Sequence, residues 1–133
     1  IRRFYGSTEV INAKPRYCLW FENEPDGSLL EISDIQERLN SGLEKRKKSK
    51  DALSNGMVNR PHQFREMNSG RESTVAIPVV SSENRDFLPV DLLGKNAVLS
   101  NKCFALFDAP LWNLALVASR LHWVWIGTVC VRM

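Results

Sequence analysis

Apolar positions along the chain fall into short runs separated by polar knots, with one long run near the end. Arg16–Glu22, RYCLWFE, is rich in aromatic and apolar groups and predicts a first strand. The NEPDGS that follows reads as a loop, after which Ser33 can cap a helix running to about Lys48. In that helix Ile35, Leu39 and Leu43 share one face. Residues 50–73 are polar and broken by the turn signals SNG, NRP and NSG. Strand patterns return at Val75–Val80, Phe87–Val90, Ala97–Ser100 and Cys103–Phe107, with Ser100–Lys102 as a tight turn between the last two. After Pro110, LWNLALVASRLHWVWIGTVCV predicts one long helix. The order implies an α+β domain: a mostly antiparallel sheet, one amphipathic helix and a long buried C-terminal helix.

The last segment is long enough to raise the question of a membrane span. Arg120 and His122 lie at its middle, where a cation costs about 2.5–3.5 kcal/mol, and strands precede it, so a buried core helix is expected instead. A chain of 133 residues is the size of one domain. It opens at Ile1 with no initiator Met or secretory pattern and closes on VCVRM inside an apolar pattern, which suggests one domain, 1–133, excised from a longer protein. Cys18, Cys103 and Cys130 are isolated among apolar neighbours, with no C-x-x-C pair, and His62 and His122 lie in unrelated segments. This fits a reduced, intracellular chain and offers no metal signature.

Charge changes the picture. Between Lys45 and Arg71 stand Lys45, Arg46, Lys47, Lys48, Lys50, Arg60, Arg65 and Arg71 against only Asp51 and Glu66, a local balance of +6 in a chain whose total is +3. A basic stripe on an otherwise acidic body is the footprint expected for a phosphate backbone. The plainer reading of EKRKKSK is a solvated helix end, with cations favoured by the helix dipole. Catalytic patterns are missing: no G-x-G phosphate cradle, no G-x-S-x-G elbow and no H-E-x-x-H. No catalytic residue is therefore expected in this domain.

The polar knot Ser81–Asp86 between two apolar flanks carries more chemistry than a turn needs. Glu83 can accept a hydrogen bond from cytosine N4, and Arg85 can donate two to guanine, so together they match a G·C pair. The same two residues also match each other, and a salt bridge across the turn is the structural alternative. Trp20, Trp112, Trp123 and Trp125 all lie in apolar runs, which favours packing over base stacking.

The series FYGSTEVIN, RYCLWF, RKKSK, RPHQFRE, IPVVSSENRDFLPV, LSNKCFALFDAPLW and SRLHWVWIGTVC covers nearly the whole chain. In that order it resembles the target recognition domain of single-chain Type II restriction–modification enzymes, in which an adenine-specific DNA methyltransferase is fused to an endonuclease. Two departures affect packing more than function: Val131 stands where Gly is expected, and Lys14-Pro15 replaces a looser turn. The resemblance implies a bacterial or archaeal cytoplasmic protein. It also implies a double-stranded DNA partner and a methyltransferase domain in the same chain, which binds S-adenosylmethionine and flips an adenine. It assigns no cofactor to the present segment.

In that light, Lys45, Arg46, Lys47, Lys48, Lys50 and Arg65 are candidate phosphate contacts. Glu83, Arg85, Arg60 and Gln63 are candidate base readers, with Pro61 and Phe64 shaping the loop. The alternative from another class is a non-catalytic interaction module that binds RNA or a protein partner through the basic stripe. A nuclease would need an acidic cluster beside a Lys, for which Glu44-Lys45 is thin support.

Overall fold

The computed structural model describes residues 1–82 and 84–130; Glu83 and Val131 lie outside the described residues. The chain divides into two compact units, residues 1–18 with 68–133, and residues 19–67.

The first unit holds every strand among the described residues. β1 (Arg2–Tyr5) pairs antiparallel with β2 (Arg16–Cys18) and parallel with β5 (Ala97–Leu99). In a second sheet, β3 (Ser73–Pro78) lies between β4 (Asp91–Gly94) and β6 (Cys103–Phe107), antiparallel to both. Three of the four pairings are therefore antiparallel, and with the helices they make an α+β fold. Helix α1 (Ser7–Asn12) follows β1, and Glu9 closes its first turn by accepting a hydrogen bond from the Gly6 amide at 2.7 Å. That amide, with help from Arg16, holds the Glu9 carboxyl below its ordinary pKa. Tyr5, Val10, Ala76, Leu93 and Ala97 form the core between α1 and the strands, with Leu99 and Cys103 packed against it.

Several expectations shift. The first strand stops at Cys18 rather than Glu22, and β1 and α1 were not anticipated. Phe87–Val90 is not a strand: β3 pairs with Asp91–Gly94 instead, Ala76 opposite Asp91, so Val79–Val90 is a long sheet connection and not a hairpin turn. The Ser100–Lys102 turn is present, with the Cys103 amide bonded to the Ser100 carbonyl, but it joins strands of different sheets. The long C-terminal helix is two, α5 (Trp112–Ala118) and α6 (Arg120–Val129). Ser119, extended at ψ 146°, interrupts them, and its hydroxyl caps α6 by accepting from the His122 amide. Neither helix is buried within the described residues: Leu121 is 81% exposed and Trp125 58%. A periodic apolar pattern reports a face that wants cover, and much of the apolar surface of both helices stays exposed among the described residues. Among the described residues no helix is long and apolar enough to cross a membrane.

The second unit contains α2 (Gly27–Leu30), α3 (Ser33–Lys47) and α4 (Ala52–Asn55) and no strand among its described residues. Asp26 and Asp51 cap α2 and α4 through their carboxylates. Ile35, Leu39 and Leu43 are half-buried along α3, as their spacing requires.

Candidate nucleic-acid interface

The basic run emerges at the C-terminal end of α3, where carbonyl groups lack helical partners and cations are favoured. Its members differ in what they face. Lys45, Lys48 and Lys50 are exposed and have no hydrogen-bond or ion-pair partner among the described residues. Lys47 pairs with Glu44 at 3.0 Å and Arg65 with Glu66 at 3.4 Å, both solvent-exposed and weakly held.

Arg46 is set apart. It falls three residues after Leu43, on the same stripe as Ile35 and Leu39, so its side chain turns inward. Its guanidinium donates to the carbonyls of Met57 (3.2 Å), Arg60 (2.8 Å) and Gln63 (2.6 Å). Burial, with the nearby Arg60 charge, pushes its pKa down, although an arginine remains a cation. Expected as a phosphate contact, Arg46 is committed here to three carbonyls of the 57–63 loop.

Two expected readers lie in that loop and are occupied internally. Gln63 donates through Nε2 to the Glu22 carbonyl at 2.8 Å, and its Oε1 accepts from Arg60 at 3.5 Å, a long bond. Phe64 stacks on Trp20 with ring centroids 5.8 Å apart, anchoring the following residue.

Arg85 belongs to the other unit, on the long connection between β3 and β4. Its amide bonds to the Ser82 carbonyl, and the Ser82 hydroxyl accepts from the Asn84 amide, which closes the turn. Two side chains of α6 hold the same turn. Trp123 Nε1 donates to the Arg85 carbonyl at 2.7 Å. Arg120 donates to both the carbonyl (3.1 Å) and the carboxylate (3.2 Å) of Asp86. The Arg85 guanidinium is exposed and has no partner among the described residues. A cleft of about 480 Å³, lined by Arg85, Asp86, Arg120 and Trp123 among others, opens beside it.

The sequence signals for this arrangement were present only in part. Trp123 looked like core, and Arg120 like an isolated charge in an apolar helix. Neither pattern says which carbonyl will be their partner. Among the described residues no group of His, Cys, Asp or Glu side chains could hold a metal ion.

A family model described as the MmeI target recognition domain matches residues 1–133. The chain belongs to that family. DNA methyltransferase A of Bacillus subtilis (strain 168) is 34% identical over 132 residues, which are 99% of this recognition domain and 15% of that protein. The solved structure of the Type IIL restriction–modification enzyme MmeI in complex with DNA superposes with a TM-score of 0.90 at 28% identity, covering 99% of the domain and 18% of that chain. The recognition domain thus spans less than a fifth of the length of these relatives.

Proposed function

We propose that residues 1–133 act as one sequence-specific recognition domain for double-stranded DNA. In the parent protein it directs a fused, S-adenosylmethionine-dependent adenine-N6 methyltransferase, with an associated endonuclease, to its site. The domain carries no catalytic residue and no cofactor of its own, and the parent works in the cytoplasm. The observation that carries this reading is the full-length match to the MmeI target recognition domain family.

Within that function the surface divides into two kinds of contact. Lys45, Lys48 and Lys50, which have no partner among the described residues, neutralise phosphates, with Lys47 and Arg65 adding to the positive field. Arg85 reads a base edge, with Glu83 beside it in sequence as its partner for a G·C pair. Gln63 and Arg60 contribute to readout only after giving up the bonds they make to Glu22 and to each other. That exchange makes them weaker readers than Arg85.

The test is to express the full-length parent in a host lacking DNA methylation and to map N6-methyladenine across the genome. One asymmetric motif is the expected result. Soluble, cofactor-binding protein that modifies no adenine would overturn the reading.

A further inference from the structure

We infer that Trp123 and Arg120 of α6 are positioning residues for sequence readout, fixing the backbone of the Arg85 turn so that the Arg85 guanidinium meets its base in a preset orientation. The inference rests on the reading of Arg85 as a base contact proposed above.

Three observations carry it. First, the backbone of the turn is fixed from outside as well as from within: the Arg85 carbonyl accepts the Trp123 indole N–H at 2.7 Å, and the Asp86 carbonyl accepts Arg120 at 3.1 Å. Long connections between strands are ordinarily the mobile parts of a fold, and two external bonds to consecutive carbonyls remove much of that freedom. Second, the Arg85 side chain is the part left unengaged among the described residues. A fixed backbone with a free bidentate donor lowers the ordering cost of binding, which is what preorganisation means for a reading residue. Third, Arg120 also holds the Asp86 carboxylate at 3.2 Å. Asp86 is the immediate neighbour of Arg85 and, among the described residues, a carboxylate that competes for its guanidinium. Pairing it with Arg120 keeps that carboxylate occupied and offsets its repulsion of a phosphate backbone.

The ion pair is largely exposed, with side-chain exposures of 60% and 82%, so its value lies in geometry rather than stability. The indole bond is the more telling one. Phenylalanine keeps much of the ring packing of Trp123 and loses the N–H donor.

The experiment uses the full-length parent in the methylation-free host, comparing wild type with Arg85→Ala, Trp123→Phe and Arg120→Gln, each checked for its melting temperature. Arg85→Ala is expected to relax one motif position, by roughly fivefold to a hundredfold in preference for the correct base pair. Trp123→Phe and Arg120→Gln are expected to relax that same position and no other, and Trp123→Phe, which changes no charge, is expected to leave the salt dependence of DNA binding unchanged. A lowered melting temperature with an intact motif would overturn the inference and leave α6 a merely structural support. Relaxation spread evenly over the motif would overturn it as well. If wild type methylates a motif that Arg85→Ala leaves intact, it is Arg85's part in readout that falls, and the positioning role falls with it. If wild type modifies nothing, the function itself is contradicted.

Discussion

At the scale of single residues, the arginines and lysines of this domain look alike in sequence and separate by what they face. Arg46 spans the carbonyls of Met57, Arg60 and Gln63. A lysine at that place brings a point charge without the planar fork, so Arg46→Lys is not conservative here. Arg46→Met should loosen the 57–63 loop by about 1–3 kcal/mol, taking charged hydrogen bonds partly shielded from water. Faster amide hydrogen exchange across residues 57–64 would register it, and Arg46→Lys should recover only part of the protection. Lys45, Lys48 and Lys50 belong to the other class. Replacing each with Gln should reduce the slope of log K against log salt by about 0.9 while leaving the methylated motif unchanged. Titrating DNA binding against salt measures the first effect, and genome-wide methylation mapping the second.

Among the elements, the strand ends show how much a single side chain organises. Asp108 follows β6, in a left-handed conformation (φ 49°) that Asp tolerates better than most residues. Its carboxylate accepts the amides of Arg71 and Glu72, just ahead of β3, and of Ser73 at its start. Those three amides hold its pKa below the ordinary aspartate value. A depressed folded-state pKa contributes stability that is complete above the unfolded value, about 4, and fades as pH falls through the folded value. Asp108→Asn should therefore lower the melting temperature of the 133-residue chain at neutral pH, and the gap should narrow on acidification below about pH 4. A gap independent of pH would count against the charged cap.

The elements also show what was legible in advance. Helix α3 and its half-buried face were readable because Ile35, Leu39 and Leu43 repeat at helical spacing. Strands β3, β5 and β6 stood out as apolar runs. β4 was misplaced by four residues, because Phe87–Val90 is as apolar as a strand while pairing is decided by the partner's register. The break at Ser119 had a signal, a good capping residue inside a helical pattern, which the apolar run around it masked. Arg46's inward direction could be read from its three-residue spacing to Leu43, but its carbonyl partners lie up to seventeen residues away and are set by tertiary structure. The link from Trp123 to Arg85 spans 38 residues, and no local pattern encodes it.

For the molecule as a whole, the lysines of the basic run lie in residues 19–67, and Arg85 with its α6 supports lies in the other unit. Under the proposed roles, phosphate attraction and base reading fall in different compact units of one chain, so affinity and specificity should respond to different mutations. The central claim is that these 133 residues choose the DNA sequence on which the parent acts. The measurement that tests it most directly is an exchange: replace residues 1–133 in the parent with the matching segment of the Bacillus subtilis relative, then map N6-methyladenine in a methylation-free host. The account predicts that the methylated motif moves with the exchanged segment. An active hybrid that keeps the parent's motif would contradict it.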